Sequence, residues 1–200
     1  MTDIEIELTL TAKAEPVPFF PLLQQGVQVR VRLGTSVRSF LTADLGIDPD
    51  YLDNRIQTIF LDGHPVDDLT ETVVTDGSVI ALSAAMPGLV GATMRRSGVL
   101  ASFRNGITYR ATDARETATE GVVTVKLFNL LVRELGPGLL ERGIWGDAKE
   151  MAEIFETHGT ALASACQSAR CDGQPVDPAD LFEIVSAKRP DRVELIVYSQ

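Results

Sequence analysis

Polar and apolar positions alternate over the first residues of the chain. Ile4, Ile6, Leu8 and Leu10 are separated by Glu5, Glu7 and Thr9, a period of two that predicts a half-buried strand over residues 4–12. Pro16, Pro18 and Pro21 deny regular pairing to the stretch that follows, where Phe19, Phe20, Leu22 and Leu23 are expected to fold back onto the core as a loop. Val27, Val29, Val31 and Leu33 resume the alternation in a second strand. Thr35 or Ser36 can cap a helix over residues 36–45, with Val37, Phe40, Leu41 and Leu45 on one face and Gly46 ending it. After a connecting turn, DPDYLDN, come a strand ending at Leu61, an Asp62-Gly63 hairpin turn, a short return strand, and a closing strand at 78–83 introduced by Asp76-Gly77.

Strand, strand, helix, strand, short strand, strand in about eighty residues is the β-grasp order. Within it, Asp62-Gly63-His64-Pro65-Val66 and Asp76-Gly77-Ser78-Val79 stand where the ThiS and MoaD sulfur carriers have an NGxxV turn and a DGDxV strand. Residues 1–88 resemble that family. The resemblance implies a ubiquitin-like fold, an adenylating, E1-like protein partner, and a glycine carboxylate that is adenylated and thiocarboxylated. Here, however, Pro87-Gly88-Leu89-Val90-Gly91 replaces a terminal Gly-Gly and more than a hundred residues follow. An internal glycine has no free carboxylate. Either processing exposes Gly88 or Gly91 as the carrier terminus, or the unit binds proteins without carrying sulfur.

Residues 89–116 differ in character. Arg95, Arg96, Arg104, Arg110 and Arg115 face a single acidic residue, Asp113, between positions 89 and 115 of a chain whose net charge is −10. Val99–Phe103 and Ile107–Thr112 flank Asn105-Gly106, which predicts a β-hairpin whose apolar face (Leu100, Ile107, Tyr109) is too large to leave in water. Arg95, Arg96, Arg104 and Arg110 form a candidate face for an anion or partner, or they pair with the protein's own surplus carboxylates.

ATDARETATEG is the expected domain boundary, giving segments 1–88, 89–116 and 117–200. Beyond it, Val125, Phe128, Leu131 and Leu135 keep helical spacing, interrupted at Gly136-Pro137-Gly138, while VTVKLFNLL also resembles the opening strand of the carrier family. Asp147 caps a further helix, DPADLFEIVSAK forms another, and residues 192–198 make a terminal strand. Cys171-Asp172-Gly173-Gln174-Pro175-Val176-Asp177 repeats Leu61–Asp67 at five of seven positions. The spacing therefore admits a degenerate second β-grasp unit in a smaller α+β C-terminal domain.

Candidate chemistry is sparse. Cys166 and Cys171, with His158 upstream, would make a thiol enzyme only if their pKa values were lowered; otherwise they are unreactive core residues. His64 and His158 complete no zinc spacing, Trp145 fits a core plug, and no phosphate-binding or hydrolase motif occurs, so no metal, cofactor or catalytic residue is assigned. The acidic balance disfavours nucleic acid as a partner. No apolar run is long enough to span a bilayer, and the N-terminus lacks a leader pattern, so a cytoplasmic protein is expected. The expectation is an α+β chain acting as a non-enzymatic protein-interaction module. The alternatives are a sulfur-carrier precursor and, last, a thiol enzyme.

Overall fold

A computed structural model describes residues 5–13, 15–96, 98–104, 106–109 and 120–199. The chain is mixed α and β and divides into two compact units. One comprises residues 24–135; the other joins residues 1–23 to 136–200. These limits differ from the expected segments. The expected boundary, at residues 111–121, falls mostly outside the described residues.

Among the described residues, the unit of residues 24–135 contains five strands: β2 (Val27–Arg32), β3 (Thr58–Leu61), β4 (His64–Pro65), β5 (Val79–Ser83) and β6 (Glu120–Phe128). They lie in the order β4-β3-β5-β6-β2. β3 is antiparallel to β4 and β5, β5 is parallel to β6, and β6 is antiparallel to β2. At β6 the sequence admits a helix, because Val125, Phe128, Leu131 and Leu135 are spaced by three and four, or a strand like the carriers' first. The structure gives a strand that buries Val123, Val125 and Leu127 in strict alternation. Asn129, at φ 56°, breaks the chain between that strand and the helix α5 (Leu131–Glu141), which continues through Pro137 into the other unit.

The predicted helix at 36–45 forms as α2 (Val37–Ser39) followed by a π turn, Phe40–Asp44. Ser36 is its cap, accepting a hydrogen bond from the Ser39 amide, and Val37, Phe40 and Leu41 are buried. DPDYLDN is not a simple turn. Asp48 accepts from the Tyr51 amide and starts α3 (Pro49–Asn54). Tyr51 and Arg55 both donate to the Glu134 carboxylate, bracing α3 against the start of α5.

In the other unit, α1 (Phe20–Gln25) begins where a loop is expected. Phe19 packs edge-on against Phe155 at 6.4 Å, and Leu22 and Leu23 are buried. The strands are β1 (Glu5–Ala12), β7 (Ile144–Asp147), β8 (Cys166–Cys171), β9 (Gln174–Val176) and β10 (Arg192–Ser199). The helices α6 (Ala148–Ala165), capped by Asp147, and α7 (Leu181–Lys188) lie between them in sequence. Trp145 is buried, with the Arg192 guanidinium over its ring at 5.5 Å.

β1 is a strand where the alternation places one, but its partners are not β2 and β5. It runs parallel to β10 and antiparallel to β8. The order is β9-β8-β1-β10-β7, with β10 antiparallel to β7 and β8 to β9. This reproduces the other unit strand for strand and direction for direction, with β1 in the position of β5 and β10 in that of β6.

The sequence echo lies at equivalent places. Asp62-Gly63 and Asp172-Gly173 all have positive φ, between 49° and 80°. The Asp62 amide donates to the Val79 carbonyl at 2.9 Å, and the Val79 amide donates to the Asp62 carboxylate at 2.7 Å. Asp172 makes the same pair of bonds with Glu7, at 2.9 and 2.9 Å. Each turn thus ties down the first residues of the neighbouring strand, β5 in one unit and β1 in the other.

Candidate interaction surface

The segment between β5 and β6 holds every carrier-terminus and arginine candidate. It is not the expected hairpin. Gly88–Met94 forms α4, and Ala101–Arg104 is a 3-10 turn where Val99–Phe103 should have been a strand. Asn105, and residues 110–112 of the expected return strand, lie outside the described residues.

Arg104 is 4% exposed. Its guanidinium is bidentate to Asp67, at 2.6 and 2.9 Å. It also donates to the carbonyls of Thr93 at 2.7 Å and Arg95 at 3.3 Å, and to the Thr108 hydroxyl at 3.1 Å. A planar five-donor fork suits this arrangement, whereas a lysine could not satisfy it. The Arg96 amide donates to the carbonyl of Gln57, just before β3, and the Tyr109 amide to that of Pro65 in β4, so the segment is pinned at both of these residues. His64, exposed as its place beyond the turn suggests, lies 3.1 Å from the Ile107 carbonyl through Nδ1. Asp67 is the residue the sequence reading missed. It ends the repeated DGxPVD pattern, but its counterpart Asp177 instead caps the turn before α7.

The Arg96 guanidinium donates to the Leu52 carbonyl at 3.1 Å and lies 3.7 Å from Asp53, which Arg38 also pairs at 2.5 Å. Burial pulls Arg96 below the usual guanidinium range, against the opposing pull of Asp53. Arg38, Arg96, Asp53, Asp67, Asp68, Leu69 and Thr70 line an open cleft of about 500 Å³. Its arginines are engaged by its own carboxylates. Arg95 is exposed, and Arg110 lies outside the described residues.

The same segment carries apolar side chains in water. Leu89 (74% exposed), Val90, Val99, Phe103 (79%) and Ile107 are five of the nine large exposed apolar residues among those described. Leu100 and Tyr109, expected to be buried with Ile107, are only half-buried.

No relative explains this surface. The chain matches no family model, no curated protein and no solved structure.

The candidate glycines serve the backbone. Gly88 is exposed at φ +77° with open space around its Cα, while a Cβ on buried Gly91 would lie 1.9 Å from the Met86 carbonyl oxygen. Gly88→Ala should therefore cost about 1–2 kcal/mol, the ordinary penalty of a left-handed residue. Gly91→Ala must displace backbone, and in urea melts it should unfold at a lower midpoint than Gly88→Ala. Equal midpoints would disprove the close approach.

Cys166 and Cys171 are buried. Burial pushes both thiols up, and at Cys171 the Asp172 charge adds to it. That direction is the opposite of the lowered pKa that activates a thiol. Alkylation at neutral pH should be slow in the folded protein and rapid in denaturant; fast modification of the native protein would restore the thiol-enzyme reading. Among the described residues no group of His, Cys, Asp and Glu is placed to hold a metal, and no helix is long and apolar enough to cross a membrane.

Proposed function

We propose that the chain is a non-enzymatic protein-interaction module built from two β-grasp units related to the ThiS and MoaD sulfur carriers. The observation that carries this reading is the position of β6. A carrier domain ending at Gly88 or Gly91 would have to fold without it, yet β6 lies between β5 and β2 and pairs with both. The strand order of each unit, with its parallel central pair, supports the β-grasp assignment. Gly88 and Gly91 sit in α4 and not in an extended tail that could enter an adenylating enzyme's channel.

The test is the chain isolated from its native host. Intact mass should give the uncleaved chain, and affinity capture followed by reconstitution with the purified partner should give a saturable complex. A thiocarboxylate on a fragment ending at Gly88 or Gly91 would replace this reading with that of a carrier precursor. Failure of every captured protein to form a complex with the purified chain would also end it.

A further inference from the structure

We propose that the two halves of the chain hold one another by reciprocal strand donation, so that a cut between residues 109 and 120 leaves a two-fragment complex and releases neither unit. This goes beyond the interaction-module reading and does not rest on it.

The unit of residues 24–135 is completed from beyond the cut. The N-terminal half supplies β2, β3, β4 and β5, and the C-terminal half supplies β6. That strand enters between β5 and β2, pairs with both, and buries Val123, Val125 and Leu127. The turn before β5 receives it. Asp76 accepts from the Val122 amide at 2.8 Å, and the Gly77 amide donates to the Val122 carbonyl at 2.8 Å. The fit is close, because Leu33 Cδ1 lies only 2.4 Å from where a Cβ on Gly121 would stand.

The other unit is completed in the opposite direction. The C-terminal half supplies β7, β8, β9 and β10, and the N-terminal half supplies β1. β1 lies between β8 and β10, with Glu5 opposite Arg192 and Ala12 opposite Ser199, and buries Ile6, Leu8 and Leu10. The Lys13 amide donates to the Ala165 carbonyl at 2.8 Å, and Phe19 packs on Phe155. β1 fills the slot that β5 fills in the unit of residues 24–135. There the strand follows β4 in the same half of the chain, whereas the residues after β9 form α7 and then β10.

Both donated strands are central. Neither can leave without unpairing backbone groups on two edges and exposing a buried apolar face. Because donation runs both ways, parting the halves opens both units at once. The covalent connection adds only proximity, an effective concentration of about millimolar for a short flexible tether.

The experiment uses the full chain with a site-specific protease sequence inserted after Thr117 and cut in the folded protein. Where the inserted site resists the protease, co-expression of residues 1–117 with residues 118–200 gives the same pair of fragments. At micromolar concentration the two fragments should elute together from a size-exclusion column. The melting temperature should fall below that of the uncut chain and rise with protein concentration, as an association requires. Amides of β1 and β6 should stay protected from hydrogen exchange. Leu8→Ala, at a fully buried position of β1, should weaken association of the fragments by about tenfold or more. Fragments that part, a melting temperature independent of concentration, free exchange in β1 or β6, or unaltered association in Leu8→Ala would each overturn the proposal. None of these outcomes bears on partner capture by the uncut chain, so this inference and the interaction-module reading can fail separately.

Discussion

Chains ending at Gly88 or Gly91 should not fold. Both lack β6, whose residues Glu120–Val125 pair with β2 and whose residues Thr124–Phe128 pair with β5. Removing it takes out Val123, Val125 and Leu127, each buried, and each such side chain contributes about 1.5–3 kcal/mol by burial. It also opens a gap between two strands whose inward faces (Val27, Val29, Val31, Ile80, Leu82) are buried against the core. β1 fares no better, because both of its partners, β8 and β10, lie beyond residue 165. Domain stabilities are typically about 5–15 kcal/mol, so these losses together exceed what a fragment can absorb. Far-UV circular dichroism with urea should show no cooperative transition for either fragment, against a clear one for the whole chain. A folded 1–91 fragment would show that β6 is dispensable and would reopen the carrier reading.

The local alternation made β1, β2, β3 and β5 legible, since one buried face forces a period of two. Most residues expected to point inward do so, including Ile6, Leu8, Val29, Leu41, Ile59 and Leu82; Val79 is half-buried, and Ile4 lies outside the described residues. What alternation cannot encode is the partner. β1 pairs with a strand nearly 190 residues away, Glu5 opposite Arg192, and nothing in either segment announces that register. β6 stayed ambiguous between strand and helix because its last apolar residue and the first turn of α5 fall at helical spacing, although Asn129 separates them with a left-handed backbone. The DGxPVD echo was legible as a pair of turns, and both proved to tie down a neighbouring strand through an aspartate. The interaction surface was half legible. Its arginines stood out by charge, but whether each served the fold or the solvent depended on Asp67 and Asp53, which are distant in sequence and unremarkable in pattern.

Asp67→Ala should destabilise the protein more than Arg104→Met, although the two residues share one ion pair. The asymmetry follows from exposure: the Arg104 side chain is 2% exposed and that of Asp67 is 37%. Without Asp67, a guanidinium stays buried beside the Thr93 and Arg95 carbonyls with no negative partner at its fork, the situation that costs about 3–5 kcal/mol. Without Arg104, the Asp67 carboxylate can take up water, and methionine fills much of the vacated volume. The remaining cost is two carbonyls left short of a donor, at about 1–3 kcal/mol in all. The double variant should fall close to Arg104→Met alone, since removing the charge first leaves Asp67 little to compensate. Urea melts of the four proteins measure the cycle. Hydrogen exchange locates it, because the Arg96 and Tyr109 amides, which donate to Gln57 and Pro65, should exchange faster in Asp67→Ala while β1 and β10 stay protected. Arg104→Met costing as much as Asp67→Ala would mean that the carbonyl contacts, and not the ion pair, hold the segment in place. An unaltered exchange rate at Arg96 and Tyr109 in both variants would show that the ion pair does not hold these two amides in place.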